Sequence, residues 1–221
     1  MDQFDFSRAA TRARPLLGLT LLLVEDSRLA SEGLRLLCQR SGARLRRADT
    51  LAAADRHLRT YRPGAVMVDL HLPDGSGLDL VESLARGRPR VDAILATSGD
   101  ASLEEAALAA GADGFLHKPV LRLAEFQQAI LRHLPPTRRP LGPTALPKDH
   151  VAPDPIAFRE DLVFAHDLLA ADPPRLPYVS RFVQGVARVA GDADLDDAAQ
   201  GADATHLAAL MRTRIEAAAA F

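Results

Sequence analysis

Carboxylates follow two apolar segments of this sequence, at points where the chain turns toward the surface. Glu25 and Asp26 come directly after the run LTLLLV, and Asp69 ends the run AVMVD. Thr97 and Lys118 hold corresponding positions near the ends of ILATS and GFLHK. If these runs are parallel strands of one sheet, their carboxyl ends share one edge. The spacing therefore predicts that the acids, a hydroxyl and an ammonium group meet on one rim.

Such a rim would have a definite chemistry. Carboxylates at close range repel one another strongly, so either their pKa values rise or cations join them. Lys118 supplies one positive charge, and a divalent ion would bring the cluster near neutrality. Oxygen ligands at a partly open site suit Mg²⁺. A carboxylate beside Mg²⁺ and a lysine is arranged to attack a phosphoryl group, because the cations neutralise the developing charge. Asp69 is the predicted reactive group.

The elements that would position these residues follow from hydrophobic periodicity. Between residues 19 and 134, short apolar runs alternate with segments of helical spacing, five times in all. This alternation predicts an α/β fold: a doubly wound, five-stranded parallel sheet with helices on both faces. Right-handed crossovers and a flavodoxin-like strand order, 2-1-3-4-5, place the first and third strands side by side. Thr50 and Ser102 are the predicted N-caps of two helices, and Gly42 is expected to end another.

Composition divides the rest of the chain. Residues 1–18 are predicted to be an N-terminal extension, and residues 135–155 a semi-rigid linker, since seven of them are proline. Residues 156–221 are predicted to be a small all-helical region, with Asp192 and Asp203 as caps. Val179, Phe182 and Val183 begin an apolar stripe in this region. Its core is thin, so the stripes are expected to pack on a partner, a second copy or the first domain.

The bulk properties exclude several classes of protein. The net charge of the 221 residues is −2, which does not indicate a nucleic-acid or membrane surface. A single cysteine, Cys38, rules out an intramolecular disulfide and suits a reducing compartment. The leucine-rich run 16–24 is too short to span a bilayer and is interpreted as a core strand. A cytoplasmic location without membrane association is therefore predicted.

Four segments together resemble the receiver domain of bacterial two-component response regulators, the CheY-like fold. They are LLLVEDS, VMVDLHLPDGSGLDL, ILATSGD and GADGFLHKPV, and the resemblance covers about residues 19–134. It implies that Asp69 accepts a phosphoryl group from a phosphohistidine on a sensor histidine kinase or phosphotransfer protein. It also implies a signalling protein with no enzymatic activity beyond its own phosphorylation and dephosphorylation.

The resemblance also implies roles for particular residues. Asp26 would bind Mg²⁺ directly and Glu25 through water, together with Asp69 and the backbone carbonyl of His71. Lys118 would contact a phosphoryl oxygen, and the Lys118–Pro119 peptide bond would be cis. Thr97 and Phe115 occupy the switch positions of the family, where a rearrangement is expected to follow phosphorylation.

The resemblance does not extend to residues 135–221, and three functions for them stay open. The first is regulated dimerisation or binding of a downstream protein. The second is DNA binding, which charge disfavours: residues 151–221 hold six Arg and no Lys against eleven Asp and Glu, so 6 − 11 = −5. The third is an atypical enzymatic or phosphotransfer output, for which His166 is the candidate phosphoacceptor. A packing or surface histidine is the favoured interpretation of His166.

Overall fold

A five-stranded parallel sheet forms the centre of the N-terminal half in the computed structural model, which describes residues 10–141, 149–201 and 203–218. In chain order the strands are β1 (Thr20–Val24), β2 (Arg44–Ala48), β3 (Ala65–Asp69), β4 (His71–Leu72), β5 (Gly75–Ser76), β6 (Ala93–Ser98) and β7 (Gly114–His117). Strands β4 and β5 form a separate two-stranded hairpin. The sheet order is β2-β1-β3-β6-β7, which confirms the predicted flavodoxin-like order when the hairpin is not counted.

The central strands are buried on both faces, as their continuous apolar runs predicted. Along β1, Leu21 and Leu23 belong to one hydrophobic cluster, whereas Leu22 and Val24 belong to another. The two clusters lie on opposite faces of the sheet, because successive side chains of a strand point to opposite sides. Strand β2 lies at an edge, and its exposed and half-buried positions alternate. Both faces are therefore covered, as an α/β fold requires.

Five α-helices accompany the sheet: α1 (Arg28–Ser41), α2 (Leu51–Thr60), α3 (Gly77–Arg86), α4 (Glu104–Ala109) and α5 (Leu123–Leu131). Thr50 caps α2, as predicted, since its side chain accepts a hydrogen bond from the Ala53 amide. Gly42 ends α1 with a φ of 84°, a left-handed conformation that glycine adopts without strain.

The predicted Ser102 cap is wrong. A short 3₁₀ turn, Ala101–Leu103, precedes α4, and Asp100 caps that turn. The Asp100 carboxylate accepts hydrogen bonds from both the amide and the hydroxyl of Ser102, at 2.9 and 2.7 Å. A carboxylate is a stronger acceptor than a hydroxyl, so Ser102 acts as a donor to the residue two positions before it. The capping residue is therefore Asp100, two positions before the predicted Ser102.

The prediction of a core strand in the leucine-rich run holds for its second part: β1 spans Thr20–Val24, whereas residues 16–18 lie in a turn. Leu16 is buried beside α1, and β1 occupies an inner position in the sheet. Of the predicted extension, residues 10–18 are described and pack on this region through Leu16, whose amide donates to the Ser41 carbonyl. Among the described helices, none combines the length and apolarity needed to cross a membrane.

The proline-rich segment is described at its two ends, and both contact the sheet-bearing part of the chain. Arg139 donates to the Leu134 carbonyl at 2.7 Å. Beyond residues 142–148, which lie outside the described residues, His150 forms an antiparallel bridge with Arg122. Val151 is buried in the core cluster of the α/β region, defined here as residues 19–134. The end of the predicted linker is therefore fixed to this region.

Residues 155–218, hereafter the helical region, contain the helices α6 (Pro155–Ala171), α7 (Leu176–Ala190), α8 (Ala193–Gln200) and α9 (Ala204–Ala218). Asp192 and Asp203 accept hydrogen bonds from amides in the first turns of α8 and α9, as predicted for caps. The predicted stripe of α7 is buried: Val179 and Val183 are fully enclosed by the neighbouring helices. The helices thus bury the apolar stripe of α7 against one another.

The helical region also packs on the α/β region. Leu29, at the start of α1, is buried in the same hydrophobic cluster as Leu162 and Val179. Leu121, which follows β7, lies against this cluster too. Of the surfaces left open for these stripes, the first domain is therefore one that the helices do contact. The contact lies beside the carboxyl ends of β1 and β7, next to the predicted rim.

Candidate functional site: an acidic rim covered by a helix

The predicted acids do converge. Glu25 and Asp26 leave the end of β1, and Asp69 ends the adjacent strand β3. One carboxylate oxygen from each lies within 4.8 Å of the others, close enough to share a metal ion. Glu25 is fully buried and Asp69 is 5% exposed, whereas Asp26 is half-buried. Parallel strand order thus brings together residues that are far apart in the sequence, and it places them at the predicted edge.

Lys118 lies between two of these carboxylates. Its Nζ donates a 2.7 Å hydrogen bond to Asp69 Oδ2 and lies 2.6 Å from Glu25 Oε2, in an ion-pair contact. Burial lowers the pKa of Lys118, but the attraction of Asp69 and Glu25 outweighs it, so the net shift is upward. The lysine therefore stays charged, and three carboxylates share one protein cation.

The positive charge of Lys118 does not balance the negative charge of the three carboxylates. Burial, followed by repulsion from Asp69 and Asp26, raises the pKa of Glu25 to about 8 despite the lysine. Burial and repulsion from Asp69 raise the pKa of Asp26 to about 6. A divalent cation among the carboxylates would stabilise their ionised forms. The donor set is oxygen only, and the half-buried Asp26 borders a cleft with room for water, so the site fits Mg²⁺.

The loop after Asp69 is built around a close approach of two backbone segments. A Cβ atom at Gly77 would collide with the carbonyl oxygen of Asp69, so this position requires glycine. The amide of His71 donates to Asp69 Oδ1 at 3.2 Å, which orients the carboxylate. Burial lowers the pKa of the His71 side chain, so the imidazole is neutral at physiological pH. The Nδ1 atom of His71 lies 3.5 Å from the Ser98 hydroxyl.

The other predicted site residues lie beside the rim. Thr97 is paired with Asp69 in the β3–β6 register and is 1% exposed, and its hydroxyl has no hydrogen-bond partner. Phe115, on β7, is half-buried and packs against the core cluster that contains Ile94 and Ala96. The Lys118–Pro119 peptide bond is cis. All the residues predicted for the site are therefore at or next to one end of the sheet.

Two histidines lie outside the acidic cluster. His117 is half-exposed and its Nε2 lies 3.5 Å from Glu104 Oε2. His166, on α6, has its Nδ1 atom 3.5 Å from the carboxylate of the adjacent Asp167. It is partly buried within the helical region. Neither side chain reaches the three carboxylates in this arrangement.

Sequence reasoning missed the contribution of the helical region to this site. The Tyr178 hydroxyl, on α7, donates a 2.6 Å hydrogen bond to Asp26 Oδ2. On α6, Asp161 accepts three hydrogen bonds from the start of α1: from the Ser27 hydroxyl and from the amides of Arg28 and Leu29. No spacing or motif signalled these contacts, because they join residues more than 130 positions apart.

Helix α7 forms one wall of a cleft above the acids. The cleft has a volume of about 850 Å³ and is lined on one side by Asp26, Asp69 and Lys118. Tyr178 and Arg181 line the opposite side. Burial and the neighbouring Asp26 carboxylate raise the pKa of the Tyr178 hydroxyl, so it remains a proton donor to that carboxylate. The helical region thus encloses the rim from the solvent side.

Comparison with known proteins gives a consistent result. The chain is 33% identical over 99 residues to the KDP operon transcriptional regulatory protein KdpE of Escherichia coli, a match covering 45% of this chain and 44% of KdpE. It is 34% identical over 101 residues to the photosynthetic apparatus regulatory protein RegA of Rhodovulum sulfidophilum, covering 45% and 55%. The chain therefore spans about half the length of the curated relatives it matches.

Solved structures agree on the fold. The receiver domain of a signal transduction histidine kinase from Syntrophus aciditrophicus aligns with 58% of this chain and 98% of its own, at a TM-score of 0.50 and 23% identity. The family model described as the response regulator receiver domain matches residues 21–131, half of the chain. That match includes every acid of the rim together with Thr97, Phe115 and Lys118. By this match and by its strand order, the chain belongs to the response regulator receiver family.

Proposed function

We propose that this chain is a phosphorylation-controlled response regulator in which Asp69 accepts a phosphoryl group from a phosphohistidine. The donor would be a sensor histidine kinase or a phosphotransfer protein. The observation that supports this most strongly is the 2.7 Å bond from Lys118 to Asp69, within a group of three converging carboxylates. Solvated carboxylates at the ends of strands have no need of a buried lysine between them, whereas phosphoryl transfer requires fixed positive charge beside the nucleophile.

The metal site of this proposal consists of Asp26, Asp69 and the backbone carbonyl of His71, with Glu25 acting through water. When bound there, Mg²⁺ would neutralise the charge on the oxygens of the transferring phosphoryl group. Two features support the assignment: one carboxylate oxygen each of Glu25, Asp26 and Asp69 lies within 4.8 Å of the others, and burial and mutual repulsion raise the pKa values of Glu25 and Asp26. A bound cation would lower both pKa values.

The chain's own residues would divide the work of transfer as follows. An Asp69 carboxylate oxygen forms a bond to phosphorus while the bond from phosphorus to the donor imidazole breaks. The Asp69 carboxylate is oriented beforehand by the His71 amide and Lys118. Lys118 then contacts an oxygen of the phosphoryl group. No further catalytic activity is proposed, so the chemistry is limited to gain and loss of phosphate at Asp69.

The change of state would begin at Thr97. Its buried hydroxyl has no hydrogen-bond partner and lies in register with Asp69, so a phosphoryl oxygen on Asp69 would supply the missing acceptor. Movement of Thr97 toward the phosphoryl group would vacate space beside Phe115, which is half-buried on the adjacent strand. We propose that Phe115 fills this space and alters the surface around β7 and α4.

The helical region is proposed as the output, acting through a downstream protein partner or through dimerisation. DNA binding is the alternative, since KdpE and RegA are named as regulatory proteins, KdpE as a transcriptional one. The negative charge of residues 151–221 argues against it, because DNA binding depends on basic phosphate contacts. Several of the arginines are also paired with acids, such as Arg214 with Asp192 at 2.6 Å. A protein target is therefore the better-supported output.

A metal-dependence experiment tests the proposed chemistry. Incubation of the full chain with a radiolabelled small acyl phosphate and Mg²⁺ is expected to label the protein. The label should be lost on treatment with hydroxylamine, which cleaves acyl phosphates. With EDTA in place of Mg²⁺, incorporation should fall by more than about tenfold, because the acids then lack their neutralising cation. Equal labelling in EDTA would contradict the proposed metal site, and a hydroxylamine-stable label would contradict an aspartyl acceptor.

A further inference from the structure

Asp26 has a different environment from the other two acids. Lys118 contacts both Glu25 and Asp69. Asp26 Oδ2 instead accepts the Tyr178 hydroxyl at 2.6 Å. This is a charge-assisted hydrogen bond, which is short and stronger than a bond between neutral groups. The helical region therefore supplies the polar partner of a predicted metal ligand.

The same face of α7 carries positive charge toward the rim. Arg181 lines the cleft together with His71 and Asp100. Two turns further along, Arg188 donates from Nη1 to the Gly99 carbonyl at 3.3 Å, in the loop after β6, while its Nε pairs with Asp196 at 3.1 Å, so Arg181 is the cation of this face without that pairing. Tyr178, Arg181 and Arg188 share one side of the helix because residues three, four and seven positions apart lie above one another. The metal-free rim, with three acids and one lysine, attracts such a face.

Three effects of a metal ion on this contact have the same sign. Coordination withdraws electron density from the Asp26 carboxylate, so it becomes a poorer acceptor for Tyr178. A divalent cation also removes the negative potential that attracts the arginines. Mg²⁺ retains several of its waters, and these would compete with the Tyr178 hydroxyl for the space beside Asp26 in the cleft. Metal binding and the seating of α7 therefore oppose each other.

We propose that Tyr178 is a latch that holds α7 on the metal-free rim, and that Mg²⁺ and the phosphoryl group displace it. This inference rests on the proposed function, and it names the regulation of the same site. The helical region would stay attached through α6, where Asp161 holds the start of α1. Release would concern the polar contacts of α7 with the cleft, while its apolar stripe stays buried among the other helices. The receiver would thus act first on its own helical region.

If Mg²⁺ and Tyr178 compete for Asp26, removal of the tyrosine oxygen must change the affinity for Mg²⁺. Removing the hydroxyl in Tyr178→Phe relieves the competition, so the full-length variant is expected to bind Mg²⁺ about three- to tenfold more tightly than the wild type. Isothermal titration calorimetry measures both affinities. Tyr61→Phe is the matched control, since the Tyr61 hydroxyl has no hydrogen-bond partner and lies at the end of α2. Its affinity for Mg²⁺ should equal that of the wild type.

A second measurement follows α7 directly. Amide hydrogen exchange in α7 of the wild type should become faster on addition of Mg²⁺ and beryllofluoride, while exchange in α6 changes little. Unchanged or weaker Mg²⁺ binding by Tyr178→Phe, or slower exchange in α7, would overturn the latch. If the wild type binds Mg²⁺ and is labelled on Asp69, that failure leaves the proposed function intact. If the wild type does neither, both the latch and the proposed function are wrong.

Discussion

Replacement of Asp69 by asparagine is expected to abolish incorporation of phosphate into the protein. The carboxamide has the shape of the carboxylate but neither its charge nor its nucleophilicity, so no bond to phosphorus forms. Loss of a nucleophile typically lowers the rate by several orders of magnitude. Intact-protein mass spectrometry after incubation with an acyl phosphate and Mg²⁺ should therefore show the phosphorylated species in the wild type alone.

The variant should remain folded, because it removes one charge from a group of mutually repelling acids. Asp79→Asn is the matched control: it makes the same chemical change at an exposed carboxylate in the first turn of α3, ten residues further along the chain. It should be phosphorylated like the wild type. Labelling of Asp69→Asn at the wild-type level would show that another group, such as Asp26, is the acceptor.

The core of the candidate site was predictable from the sequence for a definite physical reason. In a parallel sheet every strand ends at the same edge, so recognising the strands was enough to bring Glu25, Asp69 and Lys118 together. The strands themselves were recognisable because burial on both faces demands a continuous apolar run, as in β1 and β3. Periodicity and topology therefore carried the prediction without knowledge of any long-range contact.

The contacts of the helical region were not predictable in this way. An amphipathic stripe shows that a helix buries one face, but it does not show which surface that face or its flanks will meet. Tyr178 lies next to Val179 in the stripe of α7, and nothing local distinguishes it from a residue at the edge of a core. Its contact with Asp26 depends on how two independently formed units pack. The Ser102 cap failed for a simpler reason, competition from the neighbouring Asp100.

The largest expected effect on folding is that of Asp161→Ala. Asp161 is 2% exposed, and its two oxygens accept three hydrogen bonds from Ser27, Arg28 and Leu29, so α6 caps the first turn of α1 from outside. Burial raises the pKa of this carboxyl, and the hydrogen bonds from Leu29, Arg28 and Ser27 oppose that rise by stabilising the charged form. Its loss would leave buried donors at the helix start without a partner, at a cost of about 2–4 kcal/mol.

The free energy of unfolding from urea titration measures this cost, and Glu160→Ala is the matched control. Glu160 is the preceding residue on α6 and pairs with Arg28 at 3.0 Å, but both side chains are largely exposed. Exposed ion pairs contribute roughly 0–1 kcal/mol, so this variant should remain close to the wild type. Equal stabilities for the two variants would show that the three bonds to α1 contribute little. In that case the apolar contacts of Leu29 with Leu162 and Val179, together with the contacts of α7, would hold the helical region on the receiver.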